Sequence, residues 1–326
     1  MDPDSEHGAT DAELARRIDD WLTAQVFEDE LETVVIDDSF AEMPSEPRSL
    51  RDLHPAYHGD PPWLMTVSPE IGGRRLDESQ LAVIGEHPGA RALRIDWLDQ
   101  ATFERFVSVY GAQFLAIEFS KCPRIADLSP LEDLPDLRLV EFYWNQRATR
   151  LWNVSRNPRL TGLRFENFIR LHDLRDLQAG VSLQELAFGD TIWSKSVFES
   201  LEPLAALDGL RSLEFNAKRI DDGRIEPLGE LMRLETMRFP TNMFTTRQVA
   251  WLRARLPASL KSDSLAPVIH FKLTPDDEGE TRDVLLVGQR KPFLNSVSDA
   301  ARIQRHVDGF WQMVDDFRRD PTLKPD

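Results

Sequence analysis

An apolar triplet that returns in fixed phase seven times constrains this chain more than any other feature. Spaced as L-x-x-L-x-L, it reads Ala90-Leu93-Ile95, Phe114-Ile117-Phe119, Leu137-Val140-Phe142, Leu160-Leu163-Phe165, Leu183-Leu186-Phe188, Leu210-Leu213-Phe215 and Leu234-Met237-Phe239. The first positions stand 24, 23, 23, 23, 27 and 24 residues apart. The last two apolar positions of each cycle are two apart, so an extended strand puts both side chains on one face and the residue between them on the other. The cycles are too short for a full crossover helix. The strands must therefore stack in parallel, with brief segments returning the chain.

This motif and spacing resemble the leucine-rich-repeat family, whose consensus continues to an asparagine or cysteine at the ninth position. Here that position reads Leu98, Cys122, Asn145, Phe168, Thr191, Lys218 and Asn242. Four of the seven can bond a neighbouring turn's backbone, while Leu98, Phe168 and Lys218 depart from the pattern. The return segments Ile125-Ala-Asp-Leu-Ser-Pro130-Leu131-Glu-Asp-Leu134 and Ile220-Asp-Asp-Gly-Arg-Ile-Glu-Pro227-Leu228-Gly-Glu-Leu231 resemble the short-repeat, internalin-like subclass. Proline in a first turn, with leucines three apart, suits a short 3₁₀ segment because the missing N–H has no partner there. The resemblance implies an α/β solenoid over 90–261, with a curved parallel sheet on its concave face and short helical or 3₁₀ segments on its convex face.

The flanks do not carry the repeat. Thr10-Asp11-Ala12-Glu13 has capping-box spacing, and Leu14, Ile18, Trp21, Leu22 and Val26 follow an amphipathic period, which predicts a helix over 11–27. A strand over 31–36, a proline-rich loop over 43–62 and a helix over 76–87 complete an N-terminal cap, 1–89. The helical pattern at Trp251–Leu256 continues the last return segment. Beyond it, Val268–Leu273 and Asp283–Val287 flank a polar turn at 275–280 and read as a hairpin. A final helix follows, capped by Ser298, with Ile303, Val307, Phe310, Trp311, Val314 and Phe317 on one face. This region, 262–326, is either a second cap or a small appended module.

Charge narrows the partners. With 39 Lys+Arg against 56 Asp+Glu, the formal net charge is -17, which repels nucleic acid and anionic lipid and favours a basic protein partner. One cysteine excludes an intramolecular disulfide and a multi-cysteine zinc site. The first residues lack a secretory pattern and no apolar run reaches membrane-spanning length, so the expectation is a cytoplasmic protein.

No catalytic constellation emerges. Cys122 falls on the ladder position, a structural role. His54 and His58 stand four apart, but Pro55 disfavours helix there; with Asp60 they are at most a loose metal site beside the simpler reading of a surface loop. Gly72-Gly73 lacks the strand-loop-helix setting of a phosphate cradle. No cofactor is expected. What remains is a surface: Glu118, Glu141, Tyr143, Arg164 and Glu166 fall on outward strand positions of the middle repeats and Trp144 on the strand edge, with mixed charge around aromatic anchors. Trp152 and Trp193, on the segments leaving two strands, either join that surface or pack the ridge between repeats. These residues predict a non-enzymatic protein-binding module of an inhibitor or immunity type. The alternative is a recognition scaffold for an activity lying in 262–326.

Overall fold

A computed structural model describes residues 47–50, 64–69, 74–190, 196–271 and 282–325. The expected helix over 11–27, the strand over 31–36, the histidines at 54 and 58, the 72–73 glycines, Trp193 and the turn at 275–280 lie outside the described residues. The described residues fall into two compact units: the solenoid, running to Met243 and including Leu256–Leu260, and a smaller unit formed by Phe244–Arg255 and the residues from Lys261 onward.

The solenoid opens with β1 (Leu64–Val67), then α1 (Glu78–Ala82), extended by a 3₁₀ turn to Glu86, and β2 (Ala92–Asp96). Asp77 caps α1 through a capping box with Gln80. α2 (Gln100–Val109) returns the chain to β3 (Ala116–Ser120), and 3₁₀ turns then lead to β4 (Leu139–Asn145), β5 (Gly162–Phe168) and β6 (Glu185–Gly189). The two-residue strands β7 (Val197–Phe198) and β9 (Arg219–Ile220) pair beside β8 (Ser212–Asn216), and β10 (Thr236–Arg238) ends the series.

Eight of these strands form one parallel sheet in the order β1-β2-β3-β4-β5-β6-β8-β10. Seven are the strands of the repeat. β1 is an eighth, pairing Leu64–Val67 with Ala92–Ile95 in register; no repeat precedes it to reveal it in the sequence. The prolines at 130, 203 and 227 sit in the first turn of 3₁₀ segments, as the sequence predicts. The first return segment is instead the ten-residue helix α2, capped by Asp99 and burying Phe103, Phe106 and Val107.

The core lies between the sheet and these return segments. Its axis is the sixth-position phenylalanine column: Phe119 stacks on Phe142 at 4.6 Å, Phe165 on Phe188 at 5.5 Å, Phe188 on Phe215 at 5.2 Å and Phe215 on Phe239 at 5.6 Å. Phe168, one of the three departures from the ladder, packs edge-on against Phe142 and Phe165 and so replaces a hydrogen bond with aromatic contact. Asn145 performs the ladder role in full. Its amide donates to the Cys122 and Ile125 carbonyls and accepts from the Arg147 and Ala148 N–H groups. Gly189 sits at φ 111°, and a Cβ there would lie 1.8 Å from the Asn216 carbonyl oxygen, so only glycine lets the two strands meet.

The smaller unit contains α3 (Thr246–Arg255), an antiparallel sheet of β11 (Val268–His270), β12 (Val284–Leu286) and β13 (Phe293–Leu294), and α4 (Ala300–Arg319). The expected hairpin is present and gains a third strand. α4 buries Ile303, Val307, Phe310, Val314 and Phe317, and Val268, Val284, Leu286 and Leu294 meet its first half. Two expectations change. Asp299, rather than Ser298, holds the N-cap of α4, and Ser298 donates instead to Asn295. The helix assigned to a last return segment is α3, which packs along α4.

Candidate interaction surface

From the fourth consensus position onward, burial alternates along β2 to β5. Ile117 and Phe119 are buried while Glu118 and Ser120 are half-buried, and β2, β4 and β5 repeat that pattern. The outer face of the sheet therefore carries consensus positions three, five and seven, as the period requires. Register aligns the fifth positions into one row across six strands: Arg94, Glu118, Glu141, Arg164, Ala187 and Glu214.

The row is charged and internally paired. Arg94 Nε donates to Glu118 Oε2 at 2.7 Å; Arg164 Nη1 donates to Glu166 Oε1 at 2.7 Å and its Nε lies 3.8 Å from Glu141 Oε1. Glu141 is the most perturbed carboxyl. Burial pushes it up to about 7, Glu118 and Glu166 add to the rise, and Arg164 opposes it. Burial also raises Glu118, against the pull of Arg94. Arg94 keeps one buried guanidinium nitrogen, Nη2, without a hydrogen bond.

The end of the strands holds the aromatic part. Position eight takes a left-handed backbone in four consecutive repeats, at Trp97 (φ 59°), Lys121 (φ 49°), Trp144 (φ 65°) and Asn167 (φ 57°). Each of these non-glycine residues carries a conformational cost of about 1 kcal/mol, and the shared turn aims four side chains along one edge. Trp97 and Trp144 lean across Lys121 to meet edge to face, centroids 5.9 Å apart. Tyr143 lies beside them, in register with Ser120 and Glu166. Glu118, Glu141, Tyr143, Arg164 and Glu166 thus share the outer face, and Trp144 stands at its rim. Trp97 completes the aromatic group; it was legible only as another position-eight residue.

Other candidates resolve into structure. Trp152 is 2% exposed, and its indole N–H donates to Asn157 Oδ1 at 2.6 Å, while the Asn157 amide bridges the Leu131 and Leu134 carbonyls at 2.8 Å each. It packs the ridge and takes no part in the surface. Cys122 is buried, accepts from the Leu98 N–H and has its thiol pushed up to about 12 by burial. His270 Nε2 lies 3.2 Å from Asp283 Oδ2 and His306 Nε2 lies 3.0 Å from the Pro267 carbonyl, so the fold engages both. Among the described residues no cluster of His, Cys, Asp or Glu could hold a metal, and no helix is long and apolar enough to cross a membrane.

One part of the face is missing from the sequence reading. Leu50, outside the repeats, is 5% exposed and sits over Gly162 beside Leu139, in one buried cluster with Ala92 and Ala116; all four of these are third-position residues facing away from the core. Its N–H donates to Glu185 Oε2 at 3.1 Å. Next to it, where Ala187 interrupts the charged row, lies a cavity of about 370 Å³ lined by Ser49, Leu50, Arg164, Glu185, Glu214 and Thr236 among others. The small residues at position three were a signal, because a fully solvated face has no need of them.

No family model matches the chain, and no curated protein matches it. Solved structures do. An internalin, inlF, of Listeria monocytogenes is 16% identical over 57% of this chain and 49% of its own, with a TM-score of 0.43. A leucine-rich-repeat protein of Leptospira interrogans is 14% identical over 56% of this chain and 44% of its own, also at 0.43. Internalin C2 of Listeria monocytogenes is 15% identical over 57% and 73%, at 0.34. The chain thus spans about half the length of the first two. Its own phased triplets, the in-order parallel sheet they build and the 3₁₀ returns give it the fold of a leucine-rich-repeat solenoid.

Proposed function

We propose that this chain is a protein-binding module that engages its partner on the outer face of the repeat sheet, through Tyr143, Trp144 and the charged row of Glu118, Glu141, Arg164 and Glu166. The observation that carries this reading is the Trp97–Trp144 pair, held half-exposed on left-handed backbone at the rim of that face. Large, rigid, amphipathic rings at a rim bury much area for few frozen torsions, which suits an anchor. The net charge of -17 favours a basic partner, and masking such a protein, as an inhibitor or immunity protein does, is the role that fits best. No observation favours the alternative of an activity in 262–326, where both histidines serve the fold.

The test is affinity capture from native lysate with wild type beside a Tyr143→Ala/Trp144→Asn pair, asparagine being chosen because Asn167 holds the same backbone conformation. Loss of one basic protein from the variant lane supports the reading. Equal recovery of the same partner by both sinks it.

A further inference from the structure

We propose that the strand-start groove of the outer face is a docking site for an extended segment of a partner protein with a large aliphatic anchor, and that Pro47–Leu50 is its replaceable occupant in cis. The proposal rests on the outer face being the binding face, but concerns the opposite edge from Tyr143 and Trp144.

The groove is built for an outside residue. Leu139 and Gly162 stand in one register row and face away from the repeat core, yet both are buried where Leu50 sits. A Cβ at Gly162 would meet Leu139 Cδ2 at 2.7 Å and Leu50 Cγ at 3.1 Å, so any larger residue there competes with Leu50 for the same space. The seated segment shows what the groove accepts: an aliphatic side chain, and a backbone N–H for the Glu185 carboxylate.

The track does not stop at the strap. Beside Ser49 and Leu50 it opens into the cavity at Ala187. Its lining carries three carboxylates, Glu185, Glu214 and Glu235, against two guanidiniums, Arg164 and Arg211. The cavity therefore prefers a cationic neighbour to the anchor. The strap has that chemistry, since Arg48 and Arg51 flank Leu50. A cis segment competes at an effective concentration in the millimolar range, so a partner of ordinary affinity displaces it while a weak peptide does not.

The probe is a fluorescein-labelled peptide of residues 45–53, read by anisotropy against the full chain. It should bind Leu50→Asp at least tenfold more tightly than wild type, with Leu50→Ala between them. It should not bind Leu50→Asp/Gly162→Val, and the peptide carrying Leu50→Asp should bind none of them. Equal binding to wild type and Leu50→Asp, absent binding to a folded Leu50→Asp, or binding that survives Gly162→Val overturns the proposal. If circular dichroism shows both Leu50 variants unfolded, Leu50 is a core residue and the proposal is likewise overturned. So is concentration-dependent dimerisation of wild type, which would mark strap exchange between copies. Tyr143 and Trp144 are unchanged throughout, so failure here leaves the lysate capture standing, and failure there leaves this result standing.

Discussion

Trp97 and Trp144 meet edge to face at 5.9 Å across the end of the strand that separates them, each on a left-handed backbone. Two residues from non-adjacent strands thus form one group at the rim of the sheet. Trp152, eight residues further on, is buried and bonded to Asn157. Chemically identical side chains divide between surface and core.

That division predicts opposite stability effects. Trp144→Gly loses an edge contact of about 0.5–1.5 kcal/mol but relieves about 1 kcal/mol of left-handed backbone, so its thermal midpoint should stay near that of wild type. Trp152→Ala empties a buried site and should cost about 3–5 kcal/mol. Urea denaturation of both variants checks this, and a Trp144→Gly loss as large as that of Trp152→Ala would place the rim tryptophan in the core.

Glu141 predicts a pH dependence. Its folded pKa, about 7, lies above the ordinary 4.5, so the folded chain holds a proton that the unfolded chain has released. Stability from this group is present in full below 4.5 and falls as pH rises to about 7, by on the order of 1–3 kcal/mol. The charges acting on it are Glu118 on β3, Arg164 and Glu166 on β5, and Arg94 one strand further on, on β2. Glu141→Gln should flatten the slope between pH 5 and 7, as measured by denaturation across that range; an unchanged slope would assign it to other groups.

Gly189 and Gly223 both have positive φ, yet only Gly189 faces a neighbouring backbone. Gly189→Ala should cost about 3 kcal/mol, because strand β6 must part from β8. Gly223→Ala, with nothing within 4 Å, should cost about 1 kcal/mol. Comparable midpoints for the two variants would contradict the close approach.

The Cys122 thiol should resist alkylation at pH 8 in the native chain and react at the rate of unfolding, since burial both covers it and disfavours the thiolate. Mass spectrometry of iodoacetamide-treated protein over time, with and without urea, measures this. Rapid native labelling would remove the thiol from the ladder.

Much of the scaffold was legible because its signal is repeated. Each cycle places an aliphatic residue or methionine at four and an isoleucine or phenylalanine at six, and seven phased copies predict the strands, their parallel order and the structural role of Cys122. The outward positions of the middle repeats followed from the same numbering, which is why Glu118, Glu141, Tyr143, Arg164 and Glu166 reach one face and Trp144 its rim. That period leaves Trp152 open between surface and core, because it stands on the segment leaving β4 rather than at a numbered strand position. Asn157 decides between them, and its two carbonyl partners come from the preceding return segment.

By itself, the sequence determined the solenoid, because burial in a stacked repeat is a local property that every cycle must satisfy with its own residues. Only the tertiary structure decided which outward positions are open. Leu50 reaches the third-position row from outside the repeats, and Trp97 finds Trp144 across an intervening strand. Such contacts join residues distant along the chain, and a periodic pattern holds no record of them.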